Sequence, residues 1–202
     1  MTWVGLGILC YAIGSLPTAY LFTRYILGQD IRQIGDFNSG AANVFRNVGA
    51  KAGVAVGTID IIKGALVIVL AKVLVYDTGM EMMAGAAALA GHNFPAHLKF
   101  RGGRGAATAV GVLIASVPII GLPAGAFCLV LLYFTHKAIY PLAVFLVAIP
   151  VLAWPVGYSP ALAVYAVAIP IAVGLSHFFT TRILNLGAAK DMGSAGDSPL
   201  PQ

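Results

Sequence analysis

The chain has 202 residues, 59% of them hydrophobic and only 9% charged, with a formal net charge of +5 and a mean hydropathy of +0.90. An average soluble domain carries about 25% charged residues, so a water-soluble globule is excluded and the natural solvent is a bilayer. The basic excess falls at the ends of apolar runs, which points to membrane orientation and anionic ligands rather than nucleic acid.

The first apolar run covers 2–27, and residues 1–9 lack the basic region that opens a cleavable signal. A polar, glycine-rich stretch follows over 28–52. The second run is 53–76, closed by Asp77-Thr78-Gly79, and the third is 81–98. The long run 105–135 contains Pro118, Gly121 and Pro123. Proline removes a donor and disfavours helix before it, which predicts a short helix over 105–117 and a fuller one over 121–135. The last runs are 138–154 and 159–181. A crossing needs about 20 apolar residues. The pattern therefore predicts an all-α integral membrane protein with seven transmembrane helices, the fourth short, forming one polytopic domain over 1–187. The Gly-, Ser- and Pro-rich segment 188–202 is expected to be a disordered cytoplasmic tail. Gly53 and Gly57 have the spacing of a helix-packing face.

Charge sets the orientation. With the N-terminus outside, the inward segments hold Arg32, Arg46, Lys51, Lys99, Arg101, Arg104, Lys137, Arg182 and Lys190. The outward segments hold Asp77 and Glu81 and no basic residue, with Lys72 expected to snorkel from the outer end of its helix. Cations gather on cytoplasmic loops, so the C-terminus is expected in the cytoplasm. Cys10 and Cys128 lie far apart in apolar runs and have neither metal nor disulfide spacing.

Three polar clusters share the inward side. The stretch 30–46, "DIRQIGDFNSGAANVFR", holds Asp30, Arg32, Asn38, Asn43 and Arg46. Asp60 and Lys63 are three apart and so share a helix face. The stretch 91–108, "GHNFPAHLKFRGGRGAAT", leads from His92 and Asn93 into a basic glycine loop. There Gly102, Gly103 and Gly105 are expected to turn backbone amides toward a ligand, next to the open N–H groups of the following helix. Arg101 and Arg104 add donors that match phosphate. Neither a P-loop nor a dinucleotide fingerprint fits, because the strand is missing and position 108 is Thr108 rather than glycine. Each cluster also has a plainer reading: basic residues as topology anchors, Asp60–Lys63 as a structural ion pair, His92 as a core histidine, the asparagines as caps. What favours an anion site is that all three lie on one membrane face.

These residues resemble a known family. "GS" at 14–15, "DIRxxG…NxGAxNVxR" through 30–46, "DxxKG" at 60–64 and "GHxFPxxxxFRGGRGxAT" through 91–108 are similar to the bacterial acyl-phosphate:glycerol-3-phosphate acyltransferases of the PlsY type, in order, spacing and hydropathy frame from about 11 to 187. The resemblance implies a seven-helix inner-membrane monomer, its site facing the cytoplasm, with no cofactor and no metal. Its substrates would be acyl phosphate and glycerol 3-phosphate, and its products lysophosphatidic acid and phosphate. By position, Arg104 and Arg101, the backbone of Gly102, Gly103 and Gly105, and Thr108 would hold one phosphate. Asn38, Asn43 and Arg46 would hold the other phosphate or the glycerol, with His177 also at the site. His92 would orient or deprotonate the hydroxyl, unless a substrate phosphate takes that proton. Asp60 and Lys63 would support from behind.

The chain departs from the family pattern at several of these positions. The family's Gly-Ser-Gly-Asn loop is here Gly35-Asp36-Phe37-Asn38, a loop threonine is Ala42, and two loop lysines are Arg101 and Arg104. The serine motif after the fifth helix reads "AIYPLA", and the His-Arg-Glu-Asn run is His177-Phe178-Phe179-Thr180. These departures leave two alternatives: a divergent or inactive paralogue with another acceptor, or a small transporter or flippase of a phosphorylated amphiphile.

Overall fold

The computed structural model describes residues 2–75 and 77–195, with side chains described through residue 180. Among these residues every regular element is helical. Thr2 caps α1 (Trp3–Gly14) by accepting the Gly5 amide at 3.2 Å. The first apolar run then breaks, because Pro17 has no N–H to give a helix and its ring crowds the preceding turn. The chain restarts as α2 (Thr18–Leu27), ended by Gly28 at φ 69°. The polar stretch holds a short α3 (Ala41–Asn47), and α4 (Ala50–Leu74) follows. Its 25 residues make it about 37 Å long.

Asp77 accepts the Met80 amide at 2.8 Å and starts α5 (Thr78–Asn93) earlier than the expected 81–98. Pro95 stops it, leaving only a 3-10 turn over Ala96–Leu98. Then come α6 (Ala106–Ser116), α7 (Pro118–Thr135), α8 (Ile139–Ala153) and α9 (Pro160–Ala195). The expected gap between 117 and 121 closes to Val117, because Pro118 opens α7 as its first residue, where a missing N–H breaks no helical bond. The last helix continues through Ala195, into the segment expected to be disordered from 188. Residues 196–202 lie outside the described residues.

Four stretches are long and apolar enough to cross a membrane: Trp3–Leu27, Ala50–Leu74, Pro118–Thr135 and Pro160–Thr180. Ala106–Ser116 and Ile139–Ala153 are apolar but shorter. Large apolar side chains cover the outer faces, including Val73, Phe134 and Val147, as lipid contact requires. Between helices the main contacts are made by glycine. A Cβ on Gly14 would run into the Ala88 carbonyl, on Gly91 into the Tyr11 carbonyl, on Gly64 into the Thr108 carbonyl, and on Gly111 into the Ile61 carbonyl. The α1–α5 and α4–α6 pairs therefore touch backbone to backbone, the approach that holds helices together where lipid removes the hydrophobic drive. Gly53 meets the Phe45 backbone and Gly57 the Ala41 methyl, so the Gly53/Gly57 face packs α3 onto α4 as expected. The larger core joins α1, α4, α5, α6, α7, α8 and α9 around Ile68, Leu113 and Phe145. A smaller one, Ala19, Ile31, Val44, Ala52 and Val56, seats the 28–52 loop.

Helix α6 has 11 residues, about 16 Å, against a hydrocarbon thickness of about 30 Å. Its last carbonyls would be left inside the membrane without partners. Lys72 meets them: its Nζ donates to the Ala115 oxygen at 2.6 Å and the Ser116 oxygen at 3.3 Å, and stands 3.7 Å from the buried Glu81 carboxylate. Lys72, expected to snorkel, thus places its ammonium on the end of α6, with its side chain 38% exposed. Lys72→Met should lower the unfolding free energy by about 1–3 kcal/mol by leaving carbonyls and a carboxylate unpaired. The check is the thermal midpoint in detergent, with part of the loss recovered in Lys72→Met/Glu81→Gln. An unchanged midpoint in the single variant would return Lys72 to the surface-cation reading.

Candidate active site

The break at Pro17 puts polar groups where a continuous helix would have none. Just past it, Thr18 Oγ1 donates to Asp60 Oδ1 at 2.6 Å. The same oxygen lies 2.8 Å from Lys63 Nζ and 3.8 Å from His92 Nδ1. Lys63 also donates to the Leu16 carbonyl at 3.2 Å, next to the break. Asp60 is 1% exposed, Lys63 3% and His92 7%, so this is an interior network joining α2, α4 and α5. An unpaired charge at that depth would cost several kcal/mol, and here both charges are compensated. Asp60 and Lys63 thus stand behind His92, whose Nδ1 has no hydrogen-bond partner.

The glycine loop lies against His92 differently from the sequence expectation. The Gly102 amide donates to the Asn93 carbonyl and the Gly103 amide to the His92 carbonyl, each at 3.1 Å. These two amides hold the loop to the end of α5 and do not face a ligand. The residues must be glycine because a Cβ at 102 would meet the His92 carbonyl and Pro95, and one at 103 the His92 ring and the Ser39 carbonyl. Gly105, at φ 81°, turns the chain into α6, so the backbone donors left for a ligand are the Arg104 and Gly105 amides and those of the first turn of α6. Thr108 in that turn is fully buried with an unpartnered hydroxyl. Asn93 Nδ2 donates to Ser176 Oγ of α9 at 3.2 Å, while Asn93 Oδ1 has no partner.

The 28–52 loop supplies the opposite wall. Asp30 pairs with Arg32 Nη2 at 2.6 Å and accepts its Nε, and Arg32 Nη1 donates to the Leu98 carbonyl at 2.9 Å, tying this loop to the glycine loop. Arg32 beside it, chiefly by hydrogen bonding, holds the Asp30 carboxyl below its ordinary value, and the charge of Arg101 adds to this. Arg101 is exposed and acts on this pair. Arg104 is different: its side chain is 17% exposed, its Nε is buried without a partner, and its Nη1 approaches Asp36 at 3.8 Å. Arg46 Nη2 reaches the same Asp36 oxygen at 2.8 Å. Asn38 presents an unpartnered, buried Oδ1.

Arg46, Arg104, Asn38, His92 and Thr108 therefore bring unpaired or anion-suited atoms to one end of the bundle. Asn43 does not join them. Its Nδ2 donates to the Asn38 and Ile34 carbonyls at 2.9 Å and the Ile31 carbonyl at 3.3 Å, and its Oδ1 accepts from Asn47 at 2.7 Å. The side chain is fully occupied in shaping the loop. His177 is exposed on α9, and the α9 residue that touches the cluster is its neighbour Ser176. Ser15 and Ser39 line the cleft beside His92 and Gly103, and the buried Ser15 hydroxyl has no partner. Residues 14–15 belong to the motifs above, but only the proline break shows why a serine there faces the cleft. Among the described residues no three His, Cys, Asp or Glu side chains converge as a metal-binding group.

The sequence profile described as "Glycerol-3-phosphate acyltransferase" matches residues 4–189. The glycerol-3-phosphate acyltransferase 4 of Dehalococcoides mccartyi is 40% identical over 177 residues, covering 87% of this chain and 95% of the relative. Acyltransferase 1 of the same organism is 36% identical, covering 85% and 86%. Among solved structures, the glycerol 3-phosphate form of PlsY (YgiH), an integral membrane glycerol 3-phosphate acyltransferase, superposes with a TM-score of 0.78 at 27% identity over 92% of each chain.

Asn43→Ala should leave buried carbonyls unsatisfied and lower stability by about 2 kcal/mol. Hydrogen exchange should show faster opening of residues 31–40 with the transmembrane helices unchanged. Unaltered exchange there would mean that Asn43 does not hold the loop.

Proposed function

The chain belongs to the glycerol-3-phosphate acyltransferase family, and from that premise we propose that its acyl donor is an acyl phosphate, used at the cytoplasmic face of a bacterial inner membrane by a monomer. The protein is a membrane acyltransferase acting on glycerol 3-phosphate, at the start of phospholipid synthesis. The observation that carries the donor assignment is the pair Arg46 and Arg104, two guanidinium groups converging on one carboxylate position beside His92 and the first turn of α6.

An acyl phosphate arrives activated, so no side-chain nucleophile is needed. The glycerol hydroxyl attacks the acyl carbonyl carbon, a new ester bond forms, and the bond to phosphate breaks with its electron pair leaving on phosphate. The site must align the two partners and stabilise charge on the departing group. In this reading Arg104, the α6 amides and Thr108 hold one phosphate, and Arg46 with Asn38 holds the other. His92 orients the hydroxyl, and its proton passes to the imidazole or to a substrate phosphate. Asp60, Lys63 and Thr18 fix His92 from behind, and Arg32, Arg101 and Asn43 shape the walls. The acyl chain stays in the bilayer while glycerol 3-phosphate enters from the cytosol.

We take the spans to be seven, counting α1 with α2 and treating α3 as peripheral, with the N-terminus outside. Support comes from Arg32, Arg46, Lys51, Lys99, Arg101 and Arg104, which lie in α3, the first turn of α4 and the connecting segments at the end opposite Asp77.

In lipid, the purified protein should release phosphate from palmitoyl phosphate only when glycerol 3-phosphate is present, forming lysophosphatidic acid, and EDTA should not stop it. Release without an acceptor would indicate a hydrolase, and no release would end this reading. Arg104→Ala should reduce turnover by roughly tenfold or more at normal expression; an unaffected rate would leave Arg104 as a topology anchor.

A further inference from the structure

One acidic side chain stands inside the cationic pair. Asp36 Oδ2 accepts from Arg46 Nη2 at 2.8 Å and lies 3.8 Å from Arg104 Nη1. A single carboxylate oxygen thus links two guanidinium groups, one carried by α3 and the other by the glycine loop. The second oxygen, Oδ1, is buried and has no hydrogen-bond partner, and neither has Arg104 Nε. Two arginines closing on one anion is the arrangement that holds phosphate, and here the anion belongs to the chain itself.

The loop presents this carboxylate firmly. Gly35 and Phe37, on either side, both have left-handed backbone, at φ 61° and 55°. A Cβ on Gly35 would collide with the Asn43 and Asn47 side chains, and Asn43 grips the carbonyls of Ile34 and Asn38, which bracket the turn. Asp36 therefore reaches the arginines from a fixed backbone. Its side chain is 34% exposed and that of Arg46 56%, so a rotation of Asp36 toward water is open.

We propose that Asp36 is an internal competitor for phosphate: it engages both Arg46 and Arg104 before substrate arrives, and a phosphate group must displace it from either arginine to bind. This rests on the reading of Arg46 and Arg104 as phosphate ligands. The competitor weakens phosphomonoesters and inorganic phosphate alike, and so sets the affinity of the clamp and the ease with which product phosphate leaves. The displaced ion pair is partly screened by water, so the effect is moderate.

The test compares wild type, Asp36→Asn and Asp36→Glu in detergent, titrating inorganic phosphate by calorimetry and measuring acyl transfer in parallel. Asp36→Asn keeps the shape and removes the charge. It should bind phosphate about two- to fivefold more tightly and lower the KM of at least one phosphate substrate by a similar factor. Asp36→Glu, which retains the charge, should stay close to wild type. Equal or weaker phosphate binding in Asp36→Asn overturns the proposal, as does equal tightening in Asp36→Glu, which would trace to the loop and not to charge. Wild-type turnover is scored separately. Acyl transfer that persists without the Asp36→Asn effect removes this inference alone, whereas absence of transfer removes the proposed reaction.

Discussion

A helix of 11 residues, about 16 Å, is shorter than the hydrocarbon layer it stands in, and much of the molecule follows from having one near its centre. Both ends of α6 fall where backbone groups need partners that lipid does not supply. At one end Lys72 of α4 takes the exposed carbonyls, with Glu81 of α5 balancing its charge. At the other, the chain enters through Gly105 from a loop bonded to the last turn of α5, and the first-turn amides remain open. The same shortness that makes α6 costly to hold in lipid leaves its positive end inside the protein next to cationic side chains. That end is a natural seat for an anion. The close glycine contact of α6 with α4 through Gly64 and Gly111 keeps the helix there.

The polar interior is built on interruptions of helix, not on helix faces. Pro17 opens a gap at the Leu16 carbonyl, which Lys63 fills, and Thr18 turns to Asp60. Had α1 and α2 remained one helix, Lys63 would have lost an acceptor and Asp60 a donor, and a charged pair at that depth would destabilise the bundle. Irregular backbone at membrane depth persists only where the protein itself satisfies it. Here the satisfied break and the residues that satisfy it are the support for His92.

The apolar runs, the gathering of cations at one end of the bundle and the Gly53/Gly57 contact were legible in sequence because each depends on composition or on a fixed spacing. The direction of individual groups was not. Gly102 and Gly103 were read as leaving room for a ligand, whereas they leave room for the His92 and Asn93 carbonyls and the His92 ring. A glycine shows that a Cβ is excluded but not what excludes it. Asn43 was placed with Asn38 from their shared loop, yet the loop folds around its amide. On α9 a shift of one residue, about 100° of helix, separates exposed His177 from Ser176 at the cluster, and hydropathy carries no such phase. Hydropathy averaged over a window also passes smoothly across Pro17, which is why one run became two helices.

A site that works by holding phosphates has a difficulty of its own. Every attraction for phosphate that is equal in substrate, transition state and product leaves the chemical step no faster, and in the product it delays release. In the proposed reading, two arginines and an open helix end supply much of that uniform attraction. The useful part is only what grows as charge moves onto the departing phosphate. A carboxylate held between the arginines offsets ground-state attraction while leaving the donors in place for the moment the charge increases. On this argument the acidic residue in an otherwise cationic clamp is compatible with the chemistry, because it moderates binding where binding alone gives no rate.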